Sequence, residues 1–125
     1  MIDETEWPLV RVRWTGRLSD DELSEFLAKL DAWLERGERF GLLLDARGAL
    51  GFSSDQRRRV VAHMKAARGK TERSLIQAAV ADNAIQRTLS LVIEIVVPPA
   101  FPSKTFGDLD AALAWLKAQL SAVPR

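Results

Sequence analysis

The chain has 125 residues, of which 47% are apolar and 28% are charged, and this balance predicts one folded domain with its own hydrophobic core. It contains no cysteine, which excludes disulfide bonds, thiolate metal sites and cysteine nucleophiles. Its net charge of +1 is too small for a nucleic-acid-binding surface, and its most apolar run, residues 89–97, is too short to span a bilayer. We therefore expect a cytoplasmic protein that binds neither nucleic acid nor membranes.

The first part of the chain predicts a strand followed by an amphipathic helix. Residues 7–15 alternate between apolar and polar side chains, as in a strand near a sheet edge with one buried face, and residues 2–6 can pair with it as a hairpin. Gly16 is expected to make the turn. Ser19 and Glu22 form a capping-box pattern. The helix that follows has one apolar stripe, formed by Leu23, Phe26, Leu27, Leu30, Trp33 and Leu34.

The middle of the chain predicts a central strand, a loop, a helix and a second buried strand. Residues 40–45 are five apolar or glycine residues followed by an aspartate, which suits a strand covered on both faces. Residues 46–52 contain two glycines and predict a loop. We expect a second helix over residues 54–68, closed by Gly69, and a buried strand over residues 74–81.

The last part predicts a third helix, a short strand and a closing helix. Residues 84–97 have two adjacent apolar stripes at helical spacing, and together these stripes are wider than packing on one sheet requires. The two prolines that follow are expected to end this helix. Residues 101–106 predict a strand, and Asp108 caps a closing helix with apolar residues on one face. This order predicts a single α/β domain over residues 1–125, with a mostly parallel sheet of four to five strands and about four helices.

Three segments resemble the SpoIIAA-like proteins, bacterial relatives of the STAS domain (sulfate transporter and anti-sigma-factor antagonist). They are residues 42–47 (Leu-Leu-Leu-Asp-Ala-Arg), residues 98–102 (Pro-Pro-Ala-Phe-Pro), and Phe106 followed by residues 111–116 (Ala-Ala-Leu-Ala-Trp-Leu). The resemblance covers most of the chain. It implies a four- or five-stranded sheet with helices, no established activity for most members, and a distant likeness to the CRAL-TRIO lipid-binding proteins.

Ser53, Ser54 and Arg57 form a possible phosphoacceptor or anion site at the start of the second helix. In anti-sigma antagonists of the resembled kind, a partner kinase phosphorylates a serine in an Asp-Ser-Ser-Gly-like motif after the central strand. The comparable segment here is Phe52-Ser53-Ser54-Asp55, so the serines match but the motif's aspartate and glycine do not. A phosphate at this position would meet helix amides and Arg57. In the alternative interpretation Ser53 or Ser54 is only a helix cap, with Gln56 completing a box from Ser53.

The charges are unevenly distributed along the chain, and this distribution suggests further sites. Residues 1–36 contain nine acidic and five basic residues, whereas residues 37–87 contain ten basic and five acidic ones. The bases of the second helix can form a solvated face or contact an anionic partner; they are Arg57, Arg58, Arg59, Lys65, Arg68 and Lys70. His63 is the only histidine, and no serine or carboxylate pairs with it in an obvious way, so we expect a structural or surface role. Asp45 can either orient a ligand or cap a loop.

The wide apolar arc of the third predicted helix is a possible dimer or ligand surface that includes Thr88, Leu91 and Ile95. We expect a non-catalytic regulatory or protein-interaction module that forms a homodimer, and a regulatory protein is a possible partner. The alternative is a carrier of an apolar or anionic small molecule in a pocket between the third helix and the sheet. The residues assemble no nucleophile–base pair, metal cluster or phosphate loop, so we predict neither an enzyme nor a cofactor.

Overall fold

A five-stranded sheet organises residues 1–81 and 101–122, the part of the chain that the computed structural model describes. Its strands are β1 (Ile2–Glu6), β2 (Leu9–Arg17), β3 (Phe40–Gly51), β4 (Leu75–Val80) and β5 (Ser103–Phe106), and they lie side by side in chain order. β1 is antiparallel to β2, and all other neighbours are parallel. The predicted hairpin and the mostly parallel α/β sheet are therefore confirmed.

Four helices connect or follow these strands within the described residues: α1 (Asp20–Glu35), α2 (Ser54–Ala66), α3 (Arg68–Ser74) and α4 (Leu109–Ser121). α1 begins with the predicted capping box, in which the Ser19 side chain accepts from the Glu22 amide and Glu22 accepts from the Ser19 amide. All six residues of its predicted apolar stripe are buried. None of the described helices is long and apolar enough to cross a membrane.

The sheet buries apolar side chains on both of its faces. On one face, Val10 and Leu42 belong to the same buried cluster as the apolar stripe of α1. On the other, Leu43 and Ile76 pack with Leu116 of α4. This alternation between faces along β3 shows why its apolar run is continuous, since a strand with cover on both sides needs no polar face.

Glu4 ties the edge strand β1 to α1. Its carboxylate accepts a hydrogen bond from Lys29 Nζ at 2.8 Å and another from Trp33 Nε1 at 2.6 Å. These bonds hold the pKa of Glu4 below its usual value, and the bond from Lys29 has the larger effect. Because Trp33 is fully buried in the core, its indole N–H needs such a partner, and β1 supplies it.

β2 and β3 are longer than predicted, and the predicted loop over residues 46–52 is mostly strand. Thr15 pairs with Gly48, and Gly16 pairs with Ala49. Gly16 has a φ of +68° and lies beside a register shift, so it makes an irregularity within β2 rather than the turn into α1. β4 follows β3 only as far as the pair Asp45–Val80. β2 and β3 therefore continue as a pair beyond the point where β4 ends.

The predicted second helix is two helices. α2 ends at Ala66, and α3 begins at Arg68 after a residue with φ of −93° and ψ of 8°. Gly69 does not take the left-handed conformation that ends a helix; it lies inside α3 instead. The predicted third helix over residues 84–97, with Thr88, Leu91 and Ile95, lies outside the described residues.

Candidate functional site

The start of α2 is closed by a complete capping box. Ser53 Oγ accepts from the Gln56 amide at 3.1 Å, and Gln56 Oε1 accepts from the Ser53 amide at 2.9 Å. The Ser53 backbone is extended, with φ of −72° and ψ of 165°, as expected of a residue before a helix. The box predicted from Ser53 and Gln56 is thus confirmed, and the Ser53 hydroxyl has a structural partner.

Gln56 also joins the start of α2 to the start of α1. Its side-chain Nε2 donates to the Leu18 carbonyl at 2.7 Å and to Asp20 Oδ1 at 3.1 Å. The residue is only 6% exposed, so each of its polar atoms needs a partner inside the protein, and each has one. This arrangement fixes the start of α2 relative to α1.

The exposed and half-buried residues at the end of β3 and the start of α2 include apolar and basic side chains. Leu50, at the end of β3, is 79% exposed; among the described residues, Met1 is the other large apolar side chain that is exposed. Phe52 is half-buried, and the Arg57 guanidinium lies 5.8 Å from the centre of its ring. Ser54 is the first residue of α2 and is exposed. We call Leu50, Phe52, Ser54 and Arg57 the α2-start surface.

The consecutive arginines of α2 diverge, as expected for neighbours on a helix. Arg58 forms an ion pair with Asp55, whereas Arg59 donates to Ser24 Oγ of α1 at 2.8 Å. Arg57 alone belongs to the α2-start surface. The three side chains therefore do not assemble one anion site.

Side chains of α2 and α3 contact acidic residues of α1. His63 Nε2 lies 2.8 Å from Asp31 Oδ1, and Lys70 pairs with Glu35. The sequence indicated no obvious carboxylate partner for His63, and the structure gives it Asp31. The partner lies 32 residues earlier, and only the packing of α2 on α1 brings the two together.

Asp45 is in the body of β3 and not at its end. Its carboxylate accepts from Arg47 Nε at 2.9 Å, from Arg47 Nη2 at 2.8 Å and from the Arg47 amide at 3.2 Å. The Arg47 side chain is the main cause of a pKa of Asp45 below its usual value. Asp45 therefore remains ionised at neutral pH and is engaged by a neighbouring cation.

Ser53, Ser54 and Arg57 are thus brought together at one helix start, whereas Thr88, Leu91 and Ile95 lie outside the described residues. Sequence reasoning missed the exposure of Leu50, which it placed in a loop without assigning it to a surface. It also found no partner for Asp45, although an arginine two residues later was a usable signal. Within residues 1–81 and 101–122, no three His, Asp or Glu side chains are grouped to hold a metal ion.

A mixed, mostly parallel five-stranded sheet with helices on both faces, and serines opening the helix after its central strand, defines an α/β protein. The sequence profile of the SpoIIAA-like family matches residues 9–117. The chain belongs to the SpoIIAA-like family.

Two solved structures show the same fold. An uncharacterised protein with a SpoIIAA-like fold from Shewanella loihica is 18% identical, with a TM-score of 0.64 over 93% of this chain and 90% of that protein. An anti-sigma factor antagonist from Mycobacterium paratuberculosis is 15% identical, with a TM-score of 0.58 over 94% of this chain and 92% of that protein. No curated protein matches the chain significantly. At these identities the likeness concerns the fold.

Proposed function

We propose that this chain is a non-catalytic regulatory module that binds a partner protein through the α2-start surface. Membership of the SpoIIAA-like family and the fold shared with an anti-sigma factor antagonist support a regulatory role. The observation that carries the proposal is the exposed Leu50 at the end of β3, four residues before Ser54 at the start of α2.

The chemistry of this surface suits a protein partner. An exposed leucine can enter an apolar pocket of the partner, and an arginine beside an aromatic ring is a common anchor at protein interfaces. The capping box and the buried Gln56 hold the helix start in place, so little ordering cost is added on binding.

Ser54 is the better candidate for a phosphoacceptor that switches this contact. Its side chain is exposed at the first position of α2, whereas the Ser53 hydroxyl accepts the Gln56 amide. A phosphate on Ser54 would add negative charge at the positive end of the helix, one turn from Arg57. Phosphopeptide mass spectrometry of protein isolated from its host should locate phosphate on Ser54 and not on Ser53. Phosphate on neither serine removes the switch but leaves the docking surface open to test.

Site-specific photo-cross-linking in the host tests the docking surface. A benzophenone amino acid replaces Leu50 in one variant and the exposed Glu72 of α3 in a matched control. We expect one defined adduct from position 50 and none of the same mass from position 72. Absence of an adduct at position 50, or the same adducts from both positions, contradicts the proposal.

We also propose that the chain forms a homodimer through the surface that contains Thr88, Leu91 and Ile95. The support is the width of the apolar arc in the sequence of residues 84–97. Light scattering after size-exclusion chromatography should give twice the chain mass, and Leu91→Glu should halve it. A monomeric wild-type protein refutes this proposal without affecting the α2-start surface.

A further inference from the structure

We propose that a small organic oxyanion, a carboxylate or a phosphate, binds in a cleft on the sheet face that carries α4. The cleft has a volume of about 230 Å³ and lies across β1, β2 and β3; its polar and apolar walls include Asp3, Arg11, Arg13, Leu43, Asp45 and Arg47. This site is independent of the α2-start surface and of the function proposed for it.

The strand register places the charged side chains of the cleft together. Arg11 of β2 is opposite Asp3 of β1 and Leu43 of β3. Arg13, two residues later on the same face of β2, is opposite Asp45. Residues that are distant in sequence therefore meet because three strands are aligned, and no single motif marks the site.

Both carboxylates of the cleft are already engaged within the protein. Asp45 is held by two nitrogens of the Arg47 guanidinium, and Asp3 accepts from the Thr5 amide at 2.9 Å and from the Thr5 hydroxyl at 2.6 Å. The hydrogen bonds from Thr5 are the main cause of a pKa of Asp3 below its usual value. Arg47 thus engages both oxygens of Asp45, and Thr5 engages Oδ1 of Asp3, in a cleft whose lining contains three arginines.

Arg11 supplies the observation that points to a ligand. Its Nη2 lies 3.3 Å from Glu6 Oε1, but its Nε is buried and has no acceptor within the described residues. A buried donor without an acceptor is costly and uncommon in proteins. Arg13 is exposed and acts on Asp45 through its charge, so its guanidinium can also turn toward an anion.

The walls determine the chemical class of the ligand. Guanidinium groups bind carboxylate and phosphate oxygens through paired N–H donors, and Leu43 and Leu109 offer an apolar wall beside them. A volume of about 230 Å³ is below that of drug-sized pockets. The ligand we infer is therefore small, with its oxyanion at Arg11 and Arg13 and a short body against the leucines.

Titrations with succinate and with inorganic phosphate, at constant ionic strength, test this site. Arginine Nε–H resonances are followed by NMR, and Arg11→Lys identifies the Arg11 signal by removing it. We expect the Arg11 signal to shift and saturate with at least one of the two anions. Tighter binding of succinate would identify the ligand as a carboxylate, and tighter binding of inorganic phosphate would identify it as a phosphate compound.

Arg13→Gln should weaken binding roughly 10-fold or more, because a hydrogen bond to a charged group is lost. Arg17→Gln is the matched control, since it removes the same charge from the same strand outside the cleft, and it should bind as the wild type does. No saturable shift with either anion overturns the proposal. Equal weakening by both variants also overturns it, because it would reveal a general attraction to positive charge.

Discussion

Gln56 provides a quantitative test of how the start of α2 is held. Replacing it by alanine removes its acceptor bond from the Ser53 amide and its two donor bonds to Leu18 and Asp20. The residue is 6% exposed, so the Leu18 carbonyl and the Ser53 amide would lose partners that water replaces poorly. At about 1 kcal/mol for each bond, Gln56→Ala should lower the free energy of unfolding by about 2–4 kcal/mol.

Gln56→Glu changes only one group and makes the prediction pH-dependent. One carboxylate oxygen can still accept from the Ser53 amide, but the other would face the Leu18 carbonyl and the Asp20 carboxylate, both acceptors. This position favours the protonated form, so the pKa of the introduced glutamate should rise on folding. The variant should therefore be destabilised at pH 7, and this deficit relative to wild type should shrink as the pH falls through that raised pKa.

Urea unfolding followed by tryptophan fluorescence measures both effects, since Trp33 is fully buried. Ser53→Ala is the control, because it removes the cap acceptor but leaves the contacts of Gln56 with α1. It should lower the free energy of unfolding by about 1 kcal/mol. A loss below about 0.5 kcal/mol for Gln56→Ala, within the range of ordinary surface changes, would refute the bridging role. A Gln56→Glu variant whose deficit does not change with pH would refute it as well.

Three further changes test other parts of the fold by the same unfolding assay. Glu4 has a lowered pKa, so it stabilises the protein above its usual pKa; Glu4→Gln should be less stable than wild type at pH 7, and the difference should vanish as acid protonates Glu4. A Cβ on Gly41 would lie 2.9 Å from Leu116 Cγ and 3.0 Å from Leu120 Cδ1, so Gly41→Ala should lower the free energy of unfolding by about 1–3 kcal/mol. Adding Leu120→Ala should recover part of that loss. If the losses of the two single variants simply add in the double variant, the contact is refuted. Arg39 donates to two carbonyls at the end of α4 at 3.2 Å each, so Arg39→Gln should cost about 1 kcal/mol, and an unchanged urea midpoint would exclude that role.

The elements that sequence reasoning predicted well depend on local signals. α1 begins with Ser19 and Glu22, and its six apolar residues all lie on the buried face, because helical spacing and capping are decided within a few residues. The box at Ser53 and Gln56 was predictable for the same reason. These are interactions that need no knowledge of the rest of the fold.

The errors concern interactions between distant segments. Residues 46–52 look like a loop because they contain Gly48 and Gly51, yet most of them form strand by pairing with residues 15–17 of β2. Gly69 looks like a helix end, but the chain continues as α3. Such outcomes depend on which strands and helices become neighbours, and one sequence does not specify this through local propensity.

The candidate sites divide in the same way. The serines could be found because they open a helix after an apolar strand. The pair of His63 with Asp31 and the cleft of Arg11, Arg13 and Arg47 could not, since their members come from different elements. Charge asymmetry along the chain was visible, but not that Lys70 of α3 pairs with Glu35 of α1.

The most direct test of the regulatory proposal is the yield of the partner adduct from a cross-linker at Ser54, compared between Leu50→Asp and Leu50→Met. Both substitutions fall on a side chain that is 79% exposed, so neither should alter folding appreciably. If Leu50 enters an apolar pocket of the partner, Leu50→Asp should abolish the adduct and Leu50→Met should retain it. Equal yields from the two variants would contradict the proposed α2-start surface.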